Sequence, residues 1–273
     1  MAERFKAHAW RACGSERASW VRIPASPPVF FICPMIKKIL PPLQSQSLSI
    51  IIPAYNEREN IATLLDKLYR IYTDKLKFFP ETIIINDAST DGSNIILEEL
   101  RGRFPFYETI HHSKKLGLTE VLKTAIRRAK KDWLFLMPAD LEFDPEADLM
   151  PIFLKAEEGW DVVAGWRQKR AGIKKHISHI ANLVMRYSFK VEVHDINWVK
   201  LIRRDAIDKI VLENGYYKYI IPMLHALGYR ITEVKTGWYP RKHGSSKFHI
   251  MHAMISLFGF YKAYCTIRHL KSR

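Results

Sequence analysis

The sequence predicts an α/β fold, a mostly parallel sheet with helices on both faces, and three observations carry that prediction. From residue 48 onward, short apolar runs alternate with segments of helical periodicity. The first run, Leu48 to Pro53, is short and rich in Ile, as expected of a strand buried on both faces. Polar residues, carboxylates among them, follow the runs directly, where open sheets of this class hold their ligands. The chain is also long enough: 273 residues, 48% of them hydrophobic, can bury a large core without disulfide or metal staples.

The elements follow in order. Residues 48–53 read as the first strand. Asn56 and Glu59 form a capping-box-like pair opening a helix that runs to about Tyr72, with Ile61, Leu64, Leu65 and Leu68 on one side. A second strand is predicted over 82–86, and Asp91-Gly92-Ser93 leads into a helix over 95–103 in which Ile95, Ile96, Leu97 and Leu100 recur at helical spacing. Residues 107–111, 118–130 and 133–137 then read as strand, helix and strand, an alternation that demands crossover helices. At the far end, residues 249–273 predict an amphipathic helix, with Met251, Met254, Ile255, Phe258, Tyr261 and Ile267 on a stripe and Lys262, Arg268 and Lys271 opposite. Such a helix suits a membrane surface or the body of the protein. Residues 1–47 carry six prolines between Pro24 and Pro42, which forbid a continuous helix. They are expected to form a disordered extension without a signal peptide, with Met35 as an alternative start, ahead of a folded domain over 48–248.

Composition narrows the function. Lys and Arg number 43 against 28 Asp and Glu, a net charge of +15 that calls for polyanionic partners. The stretch 165–190 holds Arg167, Lys169, Arg170, Lys174, Lys175, Arg186 and Lys190 and no acid. Three scattered cysteines fit a reducing compartment and form neither a disulfide framework nor a zinc site. Residues 249–270, the most apolar stretch, are interrupted by His252, Lys262 and Arg268, so no membrane span is expected. Neither GxGxxG nor GxxxxGK[ST] occurs, which removes the main support for a dinucleotide dehydrogenase or a P-loop nucleotidase. Carboxylates at the strand ends, in Pro53-Ala54-Tyr55-Asn56-Glu57, Asp87-Ala88-Ser89-Thr90-Asp91-Gly92 and Pro138-Ala139-Asp140-Leu141-Glu142, predict a phosphate-bearing ligand bridged by a divalent cation on one side and by Lys or Arg on the other. A nucleic-acid partner would explain the charge but not these ordered carboxylates.

At these residues the chain resembles family 2 glycosyltransferases of the GT-A, Rossmann-like fold, and among them the polyprenyl-phosphate sugar synthases typified by dolichol-phosphate mannosyltransferase. Ser49-Ile50-Ile51-Ile52-Pro53-Ala54-Tyr55-Asn56-Glu57 and Ile84-Ile85-Asn86-Asp87-Ala88-Ser89-Thr90-Asp91-Gly92-Ser93 look like the family's first two strand ends. Gly165-Trp166-Arg167, Tyr216-Tyr217-Lys218 and Arg241-Lys242-His243-Gly244-Ser245-Ser246-Lys247 resemble its Gly-Ser-Arg, Gly-Phe-Lys and R-x-x-G-x-S-K elements. The resemblance implies that Pro53, Tyr55, Glu57, Ile85 and Asp87 hold the base and ribose of a GDP- or UDP-sugar donor. It places Ala139 and Asp140 on the sugar diphosphate and a Mg²⁺ or Mn²⁺ ion, and Arg167, Lys218, Arg241 and Lys247 on phosphates of donor or acceptor.

Two departures qualify the likeness. Pro138 stands at the first Asp of the family's Asp-x-Asp metal motif and Glu142 at a following Gln, so the formal charge is kept and Asp140 with Glu142 is expected to form a displaced metal site. Asp195-Ile196-Asn197-Trp198-Val199-Lys200 replaces the usual Asp-x-Thr-Ser-Gly-Phe, which leaves the acceptor open. A polyprenyl phosphate is already ionised and needs no protein base, and its transfer would invert the anomeric centre at the cytoplasmic leaflet of an anionic membrane. A glycan hydroxyl would need one, and Asp195 is the candidate. Asp195 is equally a helix cap or a partner of Arg203. A non-catalytic nucleotide- or membrane-binding module is the third reading, and a membrane-spanning partner protein is compatible with the first.

Overall fold

The computed structural model describes residues 47–168, 173–210, 212–213, 215–241 and 260–268. β1 (Leu48–Ala54) lies inside the sheet, as its Ile-rich run requires, and its polar residue, Ser49, is buried and donates to Glu81. Ile50 and Ile52 enter one core with helix α1 (Arg58–Ile71), whereas Ile51 enters the other. The α1 helix buries Ile61, Leu64, Leu65 and Leu68, as their spacing predicts. Its start differs from the expected capping box. Asn56 has a φ of 55°, and its Oδ1 accepts from the Thr90 amide at 2.8 Å, so it is committed to a neighbouring loop and Glu57 becomes the cap position.

Next come β2 (Glu81–Asn86), α2 (Ser93–Glu99), β3 (Tyr107–His111), α3 (Leu118–Arg128) and β4 (Trp133–Leu136), the alternation that the sequence predicts. The helix expected over 95–103 begins two residues earlier and tightens into a 3₁₀ turn at Leu100–Gly102. The order is completed by α4 (Pro145–Glu157), β5 (Val162–Arg167), α5 (Ile173–Phe189), β6 (Lys200–Arg203), α6 (Arg204–Ile207), α7 (Ile220–Ala226) and β7 (Ile231–Thr236).

The strands form one sheet in the order β3-β2-β1-β4-β6-β5-β7. All run parallel except β6, which is antiparallel to both β4 and β5. One core packs α3, α5 and α7 on the Ile51 face, and the other packs α1 and α4 on the Ile50 face. Growth of the sheet reverses between β1 and β4, which opens a crevice at the carboxyl edge. Because β6 is antiparallel, its first residue meets the last residue of β4: Lys200 pairs with Leu136. The segment preceding β6 is thereby delivered to that same edge.

Gly165 on β5 makes this packing possible. A Cβ there would lie 2.6 Å from Val199 Cγ2 and 2.9 Å from Trp198 Cδ1, closer than van der Waals contact permits. Residues 260–268 are helical, with Ile267 buried in the α5–α7 core and Tyr261 70% exposed. The sequence expectation had put both on one stripe; six residues at about 100° each leave them roughly 120° apart, and packing chose Ile267. Lys247, the rest of residues 249–273 and all but Ser47 of the expected extension lie outside the described residues.

Candidate active site

The loops after β1 and β2 are stitched together at the carboxyl edge. The Asn56 amide donates to Ser89 Oγ at 2.8 Å, the Glu57 amide to Ser93 Oγ at 3.0 Å, and the Arg58 amide to Asp91 Oδ2 at 3.0 Å. Asn56, Ala88 and Leu141, in the loops after β1, β2 and β4, hold φ values of 55°, 54° and 58°. Left-handed backbone at non-glycine residues costs free energy, and it gathers where a chain is shaped around a ligand.

Between β1 and β4 lies a cleft of about 270 Å³. Pro53 and Glu57 border it from the first loop, Ala139 and Asp140 from the fourth, and Trp198 and Lys200 from the segment entering β6. Leu118 and Leu122 of α3, with Tyr217 and Ile220, make the wall largely apolar. Beside Asp140 the left-handed turn at Leu141 folds Glu142 back, so that its amide donates to Asp140 Oδ1 at 3.1 Å. Arg241 then spans the two carboxylates, Nε donating to Glu142 Oε1 at 2.8 Å and Nη2 to Asp140 Oδ2. Burial pushes the Asp140 carboxyl above its ordinary range even though the Arg241 guanidinium opposes this.

Two carboxylates aimed at one cation supply hard oxygen donors. That set fits Mg²⁺ or Mn²⁺, whose remaining ligands would be water and a diphosphate. Among the described residues no group of three or more His, Cys, Asp or Glu assembles, so the protein's own share of such a site would be Asp140 and Glu142.

Other expected residues are placed differently. Ile85 is a correction: it is fully buried in the α3-side core, opposite Pro53 in the sheet, so its side chain is packing and not a ligand contact. Asp87, expected at the base and ribose of the donor, does not line the cleft; it organises the loop between β3 and α3. Its Oδ1 accepts from the Leu116 amide at 2.8 Å and meets His112 Nδ1 at 2.9 Å, and its Oδ2 accepts from the Gly117 amide at 2.8 Å. Tyr55 lies under the Lys115 ammonium, 3.8 Å from its ring centroid. Lys218, on the turn Tyr216–Tyr219, sits 5.7 Å from the Tyr217 ring, and burial lowers its ammonium from the ordinary value.

The contacts of Asp87 have a pH signature. Burial alone would raise its carboxyl, yet the Leu116 and Gly117 amides and His112 hold it below the ordinary range. A carboxyl lowered in the folded state contributes stability above its unfolded value of about 3.9 and loses it as pH falls through the folded value. Asp87→Asn is expected to cost about 2 kcal/mol at pH 7, since an amide N–H would face a backbone N–H. The gap to wild type should close as pH falls through the lowered folded value. Urea unfolding followed from pH 7 into the acid range checks this, and a gap independent of pH would rule the carboxylate charge out.

Arg167 and Asp195 form a buried pair, Nε to Oδ2 at 2.6 Å and Nη2 to Oδ1 at 3.0 Å, with the guanidinium 4.3 Å from the Trp198 ring. Asp195 is thus the partner of Arg167; Arg203 pairs with Asp161 and Asp205. Sequence reasoning missed His112 and Lys115, which no motif marks, and read Lys200 only as part of a segment that marks a different acceptor or a variant lip of the site. Lys200 is buried on the cleft wall, donates to the Trp198 carbonyl at 2.8 Å, and is lowered by burial from an ordinary 10.5 to about 8, so it remains a cation at neutral pH.

Residues 49–211 match the family described as glycosyl transferase family 2. An undecaprenyl-phosphate 4-deoxy-4-formamido-L-arabinose transferase from Pseudomonas fluorescens is 26% identical over 222 residues, which cover 80% of this chain and 64% of that protein. The chain therefore spans just under two thirds of the length of that relative. Among solved structures, glucosyl-3-phosphoglycerate synthase from Mycobacterium tuberculosis, in complex with UDP, superposes with a TM-score of 0.60 at 13% identity, covering 81% of this chain and 80% of that one. A mannosyltransferase from Pyrobaculum calidifontis in complex with GDP-Man and Mn²⁺ gives 0.51 at 18% identity, covering 72% and 58%. These likenesses are of fold.

Proposed function

The chain belongs to glycosyl transferase family 2, and from that premise we propose that it moves a sugar from a nucleotide-sugar donor to a polyprenyl phosphate at an anionic membrane surface on the cytoplasmic side. The observation that carries the reading is the cleft itself, with the Asp140–Glu142–Arg241 cluster beside it, a buried cation at Lys200 and apolar walls between. It suits an activated sugar meeting an amphiphilic phosphate. The name of the Pseudomonas fluorescens relative points to the same acceptor class.

The commitment of Asp195 favours a phosphate over a hydroxyl acceptor. Both of its oxygens are taken by Arg167, so a hydroxyl would find this carboxylate already engaged. A phosphate monoester, with a second pKa of about 6, needs no such help. In the proposed reaction a phosphate oxygen attacks the anomeric carbon, the bond to the diphosphate oxygen breaks on the opposite face, and the configuration inverts. Arg241 and Lys218 would bind the departing nucleoside diphosphate, and Pro53, Tyr55 and Glu57 would border the nucleoside. A divalent cation held by Asp140 and Glu142 would supply Lewis-acid neutralisation of the leaving group.

The membrane part of the proposal rests on α5. Ile180, Leu183, Val184 and Tyr187, at helical spacing, are 62%, 43%, 47% and 83% exposed, and Arg186 and Lys190 accompany them. An apolar stripe beside cations is what an interfacial helix requires. Among the described residues no helix is long and apolar enough to cross a membrane.

One experiment addresses both parts. The protein is incubated with anionic vesicles containing a polyprenyl phosphate, Mg²⁺ or Mn²⁺, and labelled GDP- or UDP-sugars, then floated and extracted with organic solvent. Co-flotation and a lipid-soluble label are expected. Label released as free sugar alone, or transferred to a soluble glycan, would defeat the acceptor assignment, and protein left at the bottom of the gradient would defeat the membrane one.

A further inference from the structure

We propose that Lys200 is a binding residue for an oxyanion of the substrate, drawn into the cleft beside the bond being made: the phosphate of the acceptor or a carboxylate on the transferred sugar. This deepens the sugar-transfer reading and rests on it. The sheet places Lys200 for the task, because the antiparallel β6 brings its first residue to the carboxyl edge opposite Leu136. There the side chain is 94% buried, being only 6% exposed, and lines the cleft together with Pro138, Asp140 and Trp198.

The balance of charge around it is incomplete. Among the described residues its ammonium has one hydrogen-bond acceptor, the Trp198 carbonyl. An ammonium carries three N–H groups, and a buried cation without a counter-charge is costly. The neighbouring carboxylate, Asp195, is engaged through both oxygens by Arg167, which leaves two cations against one carboxylate. Asp140 lines the same cleft but is held by Arg241. A packing role alone would be served better by an apolar side chain, such as those of Leu122, Tyr217 and Ile220 across the cleft. A ligand oxyanion entering between those apolar walls would complete the charge.

Lys200→Met keeps the length of the side chain and removes the charge. Binding is measured with a short-chain prenyl phosphate, with UDP and GDP, and with UDP-glucose paired against UDP-glucuronate, alongside thermal melting. Lys200→Met is expected to weaken prenyl phosphate or UDP-glucuronate about tenfold to a hundredfold, as loss of a charge-assisted hydrogen bond implies. Which of the two loses affinity names the source of the oxyanion. Affinity for UDP and GDP should hold within about twofold, which is far below one such bond, and Tm should rise because a buried charge has gone. Wild-type protein that binds neither nucleoside diphosphate nor prenyl phosphate would overturn the transfer reading and this assignment with it. Wild-type binding that survives unchanged in Lys200→Met, or a fall in Tm with every affinity kept, would overturn this assignment alone.

Discussion

Asp140→Asn is expected to lower sugar transfer by about 100- to 1,000-fold, the cost of removing a preorganised charge from a site where charge develops. The substitution is conservative in shape. Asn keeps an oxygen that can accept from the Glu142 amide, so the turn at Leu141 should survive. What it loses is one of the two negative charges that converge on Arg241. Arg241 would then rest on Glu142 alone, and the oxygens available to a divalent ion would fall to those of one residue. Glu142→Gln makes the complementary test: activity should require more Mg²⁺ or Mn²⁺, with the maximal rate reduced less than in Asp140→Asn. Initial rates against cation concentration, with thermal melting as the control for folding, decide the matter. Near wild-type turnover in Asp140→Asn, or an unaltered cation requirement in Glu142→Gln, would remove this cluster from the chemistry.

The second large effect is on stability. Asp195→Ala is expected to cost about 3–5 kcal/mol, the range for stripping one partner from a buried ion pair. The guanidinium of Arg167 is 10% exposed and packs against Trp198, so it has little access to water once its carboxylate is gone. Lys200 would lose the carboxylate that favours its charge at the same time. The double variant Arg167→Met, Asp195→Leu should recover part of the loss, because the guanidinium no longer stands unpaired, while Lys200 still lacks the Asp195 carboxylate. Urea unfolding of both variants reads this directly. A loss below about 1 kcal/mol in Asp195→Ala would place the pair among surface ion pairs, whose contribution is that small.

The α/β class, the first four strands and the helices between them were legible in the sequence because the interior strands β1, β2 and β4 carry runs of Ile, Leu and Phe and the segments between them repeat apolar residues at helical spacing. Their ends were legible to within a few residues for the same reason. The residues after each strand were legible as site loops because sheet geometry, and no particular side chain, sets where a ligand can approach. The capping of α1 was not, since Asn56 had two partners available and the one 34 residues away prevailed. Nor was the burial of Ile85, which local pattern cannot distinguish from a loop-facing position at the end of a strand.

By itself, then, the sequence determined the layered architecture, the family resemblance and the edge at which chemistry belongs, all of which follow from periodicity and from short runs of neighbouring residues. Only the tertiary structure decided how the charges divide. Arg241 meets Glu142 and Asp140 across separations of 99 and 101 residues, Arg167 meets Asp195 across 28, and the reversed direction of β6 turns Lys200 into the cleft. The physical reason is that a charge has no periodicity. Which carboxylate neutralises which cation depends on distance and burial in the folded chain, and neither is written in the order of residues along it.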